Sequence, residues 1–314
     1  MSEKFLKDFD GIIEKAKAVE RPMRVVIAAA DAENIVRGAF MAQDAGFVEP
    51  ILVGNEGKIR AVLETIGMAD RDVQVVDASG GDSSIQYAIE MINAGSADCL
   101  MRGNSSTRDF LMPVLNKSNH LIQDDALVTH INFLKVPGLE RLLAISDVTL
   151  LINPPMEIRK EVVKNMVKAL NVFGVARPNI ALLALVEKPS YQMRDTVEDQ
   201  TMVRDNERRP FADCNLVGPI AYDLIVNKEA ARLKGFDCPF CGEFDGIVVP
   251  NLATGNVMVK VLQQSAGASG FGVLVGARIP IAITSRADKP EQAFQSLAAC
   301  AAMWGSGIYD KFKA

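Results

Sequence analysis

The chain has 314 residues, of which 49% are hydrophobic and 23% are charged, and its formal net charge at pH 7 is -5. This composition excludes a disordered chain, and the mildly acidic balance argues against general binding to nucleic acids or anionic membranes, which need cationic surfaces. At ~150 residues per domain, the length predicts two domains or one large α/β unit.

The start of the chain predicts no export signal. The first 22 residues are charged throughout and contain no apolar segment of the secretory type. No stretch reaches the ~18 apolar residues that a transmembrane helix needs. The 5 cysteines are too sparse for a disulfide scaffold and odd in number. We therefore expect a cytoplasmic protein.

Apolar runs and helical patterns alternate along the first third of the chain. Strands are predicted over 24–30, 49–54, 73–78 and 97–101, with helices over 31–46 and 83–94. Strands and helices that alternate at this spacing indicate βαβ units and a mainly parallel sheet.

The middle of the chain is more varied. Short apolar segments over 141–145 and 147–152 precede a strongly periodic helix over 157–173 and a strand over 179–186. The most polar stretch, 194–210, is typical of a solvated loop or helix on the surface. The α/β rhythm then returns, with strands predicted over 246–249, 272–275 and 279–283.

Three of the predicted strands are followed by turns of one chemical type. These turns, 102–109, 250–256 and 284–288, are rich in small hydroxyl and amide side chains, and each has a cation close by: Arg102 or Arg108, Lys260, and Arg286. Ligands of parallel sheets bind at the carboxyl ends of strands, where helix N-termini favour anions. The shared composition favours an anion site, although no turn contains GxGxxG or GxxxxGK[ST].

Each turn also has a purely structural interpretation as the start of a helix. Ser106 with Asp109, and Asp288 with Glu291, fit N-terminal caps, and Thr254 is an acceptable cap residue. Taken singly, each turn is more often only a helix start. Taken together, the three turns favour the anion site.

The residues of these turns resemble the phosphate acetyl/butyryl transferase family. The strongest similarity lies in 249–256 with Lys260 and in 283–288, and weaker similarity spans nearly the whole chain. The resemblance implies a two-domain α/β/α protein with mainly parallel sheets and an active-site cleft between the domains. It implies that 1–126 plus 268–314 form domain I, that 127–267 form domain II, and that the protein is a homodimer.

The resemblance also implies the reaction. Acyl-CoA and phosphate would give acyl phosphate and CoA by direct attack in a ternary complex, without a permanently bound cofactor or a metal. The compact length and the sequence of 285–288 favour the butyryl branch of the family. Ser285 would donate to the developing oxyanion or to the thiolate, Arg286 would bind phosphate or CoA, and Asp288 or Glu291 would take the thiol proton in the reverse direction.

Further residues are implied as substrate-binding. The resemblance assigns this role to Arg102, Ser106, Thr107, Asn251, Thr254, Gly255, Asn256 and Lys260. Many members of the family have an arginine where this chain has Met112. Arg102 or Arg108 would then supply that charge.

Other residues invite functional interpretations that their context does not favour. Cys238 and Cys241 form a lone CxxC motif without further metal ligands or a thioredoxin-like setting, so we expect a local role in a loop. His120 and His130 are the only histidines. We expect them at the surface or at helix ends, which disfavours a histidine-based mechanism. Methionines such as Met112 are expected mostly in the core, and Trp304 in packing or a subunit interface.

Three other functions remain open on the sequence alone. The first is a phosphate acetyltransferase. The second is an enzyme resembling NAD-dependent decarboxylating dehydrogenases, which share a related fold but need a metal-binding aspartate cluster that we do not find in the sequence. The third is a non-catalytic binder of CoA or acyl phosphate, favoured by Met112 and by the choice between Asp288 and Glu291 as the base.

Overall fold

The computed structural model describes residues 6–79 and 81–310, without the side chains of residues 81–83. Residues 1–5 and 311–314, the outermost parts of the predicted domain I, lie outside the described residues. Contacts divide the chain into two compact units. We call residues 10–128 with 271–310 the terminal unit, and residues 129–270 with 6–9 the central unit.

Strands and helices alternate through the described residues. The strands are β1 (Met23–Ala28), β2 (Val48–Gly54), β3 (Gln74–Asp77), β4 (Cys99–Arg102), β5 (Thr129–Lys135), β6 (Leu142–Ser146), β7 (Asn179–Leu183), β8 (Asn215–Ile220), β9 (Gly246–Val248), β10 (Ser269–Val275) and β11 (Ile281–Ala282). The helices are α1 (Asp10–Lys17), α2 (Glu33–Asp44), α3 (Glu56–Thr65), α4 (Gly81–Asn93), α5 (Thr107–Leu115), α6 (Met156–Val172), α7 (Arg194–Arg208), α8 (Tyr222–Val226), α9 (Lys228–Lys234), α10 (Leu252–Ser265) and α11 (Pro290–Gly305). A short 3-10 helix spans Lys117–Asn119.

The terminal unit is built on a mainly parallel sheet. Its strands lie in the order β3-β2-β1-β4-β11-β10, and only the β10–β11 pair is antiparallel. The central strands β1 and β4 are apolar apart from Arg24 and Arg102, as expected for strands covered on both faces. Helices α2 and α1 pack with α11, while α4 packs with α5 and over β1 and β4.

The central unit repeats this architecture with five strands. Their order is β5-β6-β9-β7-β8, and only the β5–β6 pair is antiparallel. Helix α6 packs over β5, β6 and β9 and against α7. Apolar residues of α8, α9 and α10 form another buried cluster with the strands, which includes Leu224, Ala231, Ile247 and Val259.

The predicted fold class is confirmed: the chain is α/β with mainly parallel strands. In the first third of the chain, the strands lie within two residues of their predicted bounds. The last strand of the chain, β11, is shorter than predicted: it spans Ile281–Ala282 instead of 279–283. No helix of the described residues is long and apolar enough to cross a membrane.

The polar stretch 194–210 forms helix α7, but the expectation of a solvated element was wrong for one of its faces. Asp199 is fully buried and accepts a hydrogen bond from Arg159 of α6, which is 2% exposed and also donates to Glu198 at 3.0 Å. Burial raises the pKa of Asp199 to about 6, although the charge of Arg159 acts in the opposite direction. The charged residues on this face of α7 therefore form ion pairs with α6.

Candidate active site

The turn after β4 ends in a helix cap. Ser106 is the N-cap of α5, and its hydroxyl oxygen accepts a hydrogen bond from the Asp109 N–H at 3.0 Å. The same hydroxyl donates to the Asp109 carboxylate at 2.6 Å. The interpretation of Ser106 as a cap is confirmed, and its hydroxyl proton is used within the turn.

Arg102 is the last residue of β4 and links this turn to the segment that follows β11. It is only 4% exposed. Its Nη1 donates to the Thr107 hydroxyl at 2.7 Å, and its Nη2 donates to the backbone carbonyl of Thr284. The guanidinium therefore brings the first residue of α5 together with segment 284–288.

A second guanidinium and a carboxylate act on Arg102. Burial, and then the charge of Arg286, lower the pKa of Arg102, whereas the charge of Asp288 raises it. The Asp288 carboxylate accepts a hydrogen bond from the Ser285 N–H at 2.7 Å, and its backbone carbonyl accepts one from the Asn34 amide at 2.7 Å. One further guanidinium and one carboxylate therefore act on the guanidinium of Arg102.

Three buried polar atoms at this place have no hydrogen-bond partner among the described residues. They are Arg102 Nε, Ser105 Oγ and Thr284 Oγ1. Ser105 is 9% exposed and Thr284 is 5% exposed. Leaving such a group unsatisfied costs ~1–3 kcal/mol, so folded proteins seldom do so without a ligand or water nearby. Unused donors next to two cations suit a bound anion.

The connectivity of the terminal sheet also favours a ligand at this point. From β1 the chain runs outward to β2 and β3 and then returns to β4 on the other side of β1. Ligands of such sheets bind outside the carboxyl ends of the strands where the order reverses.

The turn after β4 packs directly on the end of β1. The Gly103 N–H donates to the Ala28 carbonyl at 2.8 Å, and the Asn104 N–H donates to the Ala29 carbonyl at 2.7 Å. Ala29 has a φ of 57°, a backbone conformation that residues with side chains rarely adopt. Such strained residues cluster at functional sites.

Sequence analysis missed Ser105 and Thr284 as candidate site residues. Each is the immediate neighbour of a serine that was selected, Ser106 or Ser285. A composition signal was therefore present. It could not identify which of two adjacent hydroxyls is buried, because that depends on the path of the turn.

Helix α10 of the central unit carries the second group of predicted residues. Asn251 is its N-cap: the side-chain oxygen accepts from both the backbone N–H and the hydroxyl of Thr254, each at 3.0 Å. The prediction that Thr254 is the cap was wrong. Asn251 still has an extended backbone, which lets its side chain reach the free N–H groups, whereas Thr254 is already inside the helix.

Further along α10, the helix packs on the segment that follows β6. A Cβ atom at Gly255 would lie 2.6 Å from the Asp147 carbonyl oxygen, so only glycine fits there. The Asn256 side-chain amide donates to the Val148 carbonyl at 3.1 Å. Lys260 is exposed and lies one helical turn after Asn256, on the same side of the helix.

The start of α11 also differs from its prediction. The N-cap is Lys289 and the first helical residue is Pro290, so the interpretation of Asp288 as the cap was wrong. The side chain of Gln292 accepts from the Lys289 N–H at 2.9 Å. Because the Asp288 carboxylate is bound to the Ser285 N–H, Asp288 belongs to the turn and not to the helix.

His130 was expected at the surface or at a helix end, and this was wrong. It lies in β5 and is 7% exposed. Its Nδ1 is 2.6 Å from the Thr149 hydroxyl, and its Nε2 is 3.4 Å from the Asn132 amide nitrogen. His120 follows the 3-10 helix and is exposed, as expected. Met112, expected in the core, is 62% exposed on α5.

The cysteine pair forms a turn in the central unit. Cys241 donates its N–H to the Cys238 carbonyl at 3.4 Å, and both thiols are free. Burial, and then the neighbouring Cys238, raise the pKa of Cys241 to about 12. Among the described residues, no three histidine, cysteine or acidic side chains are grouped so that they could hold a metal ion.

A hollow of about 1120 Å³ in the terminal unit lies at the opposite, amino ends of β1, β4 and β11. It is lined by Arg21, Arg24, Asp98 and Trp304, among others, and by none of the predicted site residues. Two of its three arginines, Arg21 and Arg24, are bound to Asp98. None of Arg102, Ser105 and Thr284, whose buried donors have no partner at the carboxyl ends of the strands, lines this hollow.

The structure gathers the predicted residues into two groups. In the terminal unit, the turns after β4 and β11 hold Arg102, Ser106, Thr107, Ser285, Arg286 and Asp288. In the central unit, the start of α10 holds Asn251, Thr254, Gly255, Asn256 and Lys260.

Comparison with known proteins gives both groups a context. The family model described as phosphate acetyl/butaryl transferase matches residues 82–302. The phosphate butyryltransferase of Clostridium acetobutylicum is 31% identical over 301 residues, which cover 96% of this chain and 99% of that protein. The phosphate acetyltransferase of Thermotoga maritima is 28% identical over 287 residues, which cover 91% of this chain and 96% of that protein.

Among solved structures, a branched-chain phosphotransacylase from Enterococcus faecalis matches with a TM-score of 0.76 at 22% identity, covering 90% of this chain and 99% of that one. The chain therefore has the fold of a phosphotransacylase. By the family model and the sequence identity to its relatives, it belongs to the phosphate acetyl/butaryl transferase family, a family of acyltransferases.

Proposed function

We propose that this protein catalyses the reversible reaction of acyl-CoA and phosphate to acyl phosphate and CoA. The observation that supports this most directly is the group of unpartnered buried donors at Arg102, Ser105 and Thr284, next to the charge of Arg286. A phosphate dianion supplies the acceptor oxygens and the negative charge that these groups lack. The proposed reaction passes an acyl group between two substrates and needs no resident cofactor.

In the proposed mechanism, both substrates are bound together and phosphate attacks directly. A phosphate oxygen forms a bond to the thioester carbon, and the carbonyl electron pair moves onto its oxygen. When this tetrahedral species collapses, the carbon–sulfur bond breaks and CoA leaves as a thiolate. Arg102 and Arg286 hold the phosphate against the thioester, which supplies both proximity and charge neutralisation.

Ser285 is the proposed donor to the oxyanion or to the departing thiolate. Its Oγ accepts a hydrogen bond from the Ala287 N–H at 3.3 Å, and the hydroxyl proton remains to be donated. In the reverse direction, the thiol of CoA must lose its proton, and we assign that step to the Asp288 carboxylate. Glu291 is the alternative base.

The residues of α10 are proposed to bind a substrate phosphate group. Thr254, Gly255 and Asn256 occupy the first turns of the helix, where backbone N–H groups and the helix dipole favour anions. Lys260 adds a positive charge, and Asn251 contributes as the cap. In the terminal unit, Thr107 is proposed to bind the phosphate, whereas Ser106 acts mainly as the N-cap of α5.

Butyryl is the proposed acyl group. It is supported by the 31% identity to a phosphate butyryltransferase over 96% of this chain; a phosphate acetyltransferase of Rhizobium meliloti is also 31% identical, over 93% of this chain. One methylene in an apolar pocket is worth only ~1–3 kcal/mol of discrimination, so activity with neighbouring chain lengths is expected.

The reaction is tested by release of free thiol from acyl-CoAs of two to six carbons, with and without phosphate. We expect phosphate-dependent release that is fastest with butyryl-CoA. A maximum with acetyl-CoA would change the proposed substrate only. Binding of CoA without release from any of these compounds would instead identify a non-catalytic binder.

Replacing Ser285 tests the chemistry. Because loss of one oxyanion donor costs roughly 10²-fold or more in kcat, Ser285→Ala should lower kcat by about that factor. The unfolding temperature should hardly change, since Ser285 is exposed. Ser118→Ala, which removes another exposed serine with only a local hydrogen bond, is the matched control. Full activity of Ser285→Ala would refute the assigned role.

We also propose that the protein is a cytoplasmic homodimer. The resemblance to the family supports the dimer, and the composition and sparse cysteines support the compartment. Sedimentation equilibrium of the purified protein tests the first point: a single species of 34.0 kDa would refute it. Fractionation of the source cells tests the second.

A further inference from the structure

We propose that Asp147 is a positioning residue for the substrate site on α10: its carboxylate shapes segment 147–152, which in turn holds Asn256. This inference rests on the proposed function, because Asn256 is assigned to substrate binding there. Neither the sequence patterns nor the family resemblance assigned a role to Asp147.

Asp147 directly follows β6 and is 3% exposed. One carboxylate oxygen accepts hydrogen bonds from the N–H groups of Thr149, Leu150 and Leu151 at 2.8, 2.6 and 3.3 Å. The other accepts one from the His130 N–H at 2.6 Å. Four backbone donors thus converge on one side chain, which folds the segment tightly around it.

A buried carboxylate such as that of Asp147 is not the side chain that stability alone favours. Burial raises the pKa of Asp147, and the backbone hydrogen bonds only partly offset that rise. Burying a carboxylate is costly even when it is well hydrogen-bonded, and an apolar turn would avoid the cost. What the carboxylate provides is a fixed shape of the segment.

Strand β5 holds the same segment a second time. His130 donates its backbone N–H to Asp147, and its imidazole Nδ1 lies 2.6 Å from the Thr149 hydroxyl. Both ends of the Asp147–Thr149 stretch are therefore anchored to one residue of a buried strand. Such anchoring leaves the carbonyl of Val148, which lies between them, pointing in one direction only.

The segment touches the start of α10 at three places. The Leu252 N–H donates to the Ile152 carbonyl at 3.0 Å, and Gly255 packs against the Asp147 carbonyl. The Asn256 amide donates to the Val148 carbonyl at 3.1 Å. Because the Val148 carbonyl accepts a hydrogen bond from the amide nitrogen of Asn256, the side-chain oxygen of Asn256 has a defined orientation.

A double-mutant cycle with Asp147→Asn and Asn256→Ala tests the coupling. Asparagine keeps the size of the side chain but turns an NH2 group toward backbone donors, which cannot accept from it. We expect each single substitution to raise the KM for phosphate roughly tenfold, a change that corresponds to ~1.4 kcal/mol. The double variant should be no worse than the more severe single variant, since both act through one contact.

Additive effects of the two substitutions would overturn the proposal. The control is Asp245→Asn, which alters another buried aspartate of the central unit that accepts a backbone hydrogen bond, from the Asn179 N–H at 2.8 Å. Asp245→Asn should lower the unfolding temperature and leave the KM of the folded protein unchanged. An equal rise in KM for Asp245→Asn would mean that general destabilisation, and not positioning, explains the effect.

Two additions keep the test decisive. If Asp147→Asn does not fold, Thr149→Val breaks only the contact with His130 and should show the same non-additivity with Asn256→Ala at a smaller magnitude. The cycle is also run on phosphate binding, measured as the rise in unfolding temperature with added phosphate. Absence of thiol release by the wild type would refute the proposed function, whereas additivity in binding would refute the role of Asp147.

Discussion

The side chain of Thr284 illustrates how a single residue can reveal a site. Its hydroxyl is buried and has no hydrogen-bond partner among the described residues, while its backbone carbonyl accepts from Arg102. An unsatisfied buried hydroxyl costs the free protein ~1–3 kcal/mol, and a ligand that accepts its proton would remove that cost. Thr284→Val, which keeps the shape of the side chain, separates the two effects.

We expect Thr284→Val to lower kcat/KM for phosphate by about 10-fold or more, because a hydrogen bond to a charged ligand is worth ~1.5–3 kcal/mol. The free energy of unfolding without ligand should stay the same or rise. Thr196→Val is the control: the Thr196 hydroxyl is buried but donates to the Met193 carbonyl at 2.6 Å. That substitution should cost stability and leave kcat/KM unchanged. The opposite pattern would remove Thr284 from the site.

At the scale of the element, two helix caps of the same kind can be compared, one at a helix with assigned substrate-binding residues and one at a helix without them. Asn55 caps α3 by accepting from the Lys58 N–H at 3.0 Å, and Asn251 caps α10 by accepting from the Thr254 N–H at the same distance. Both caps use the same chemistry. Of these two helices, α10 carries residues assigned to substrate binding and α3 does not.

Replacing either asparagine by alanine should therefore cost a similar ~1 kcal/mol of unfolding free energy, as measured by denaturant titration. The kinetic effects should differ. Asn251→Ala should also raise the KM for phosphate, since the first turn of α10 frays, whereas Asn55→Ala should leave it unchanged. Equal KM values for the two variants would argue against a ligand at the start of α10.

At the scale of the whole molecule, acid stability depends on carboxylates that are bound in the folded state. Although burial acts in the opposite direction, hydrogen bonds from Arg21 and Arg24 lower the pKa of Asp98 to about 2. A carboxyl group whose pKa is lower in the folded than in the unfolded chain stabilises the protein above the unfolded value. This contribution is lost as the pH falls from about 4 to about 2.

Asp98→Asn should accordingly lower the free energy of unfolding by about 1–2 kcal/mol at pH 7, after allowance for the exposure of Arg21. The difference from the wild type should shrink between pH 4 and pH 2, as followed by denaturant titration at each pH. Asp223→Asn, which removes an exposed partner of Lys234, should have a far smaller effect. A difference that stays constant down to pH 2 would contradict the shifted pKa of Asp98.

Much of the architecture could be predicted from the sequence, because alternating apolar runs such as 24–30 report directly on burial. The positions of the three turns could be predicted as well, because each turn directly follows one of those apolar strands. What the sequence could not show were partners far apart in the chain. Arg159 neutralises Asp199 across 40 residues, and His130 lies against Thr149. Similarly, the choice of Asn251 over Thr254 as the cap depends on backbone angles that composition does not encode.

The order of the segments in the chain has a consequence for folding during synthesis on the ribosome. Residues 129–270 are synthesised before 271–310, so the central unit has all its strands while β11 and α11 are still being made. Until they emerge, β4 lacks its neighbour β11, and Arg102 lacks the Thr284 carbonyl. The cluster of unused donors is therefore among the last features to assemble, and a nascent chain stalled before residue 280 would lack Thr284 and Arg286, and with them part of the proposed phosphate site.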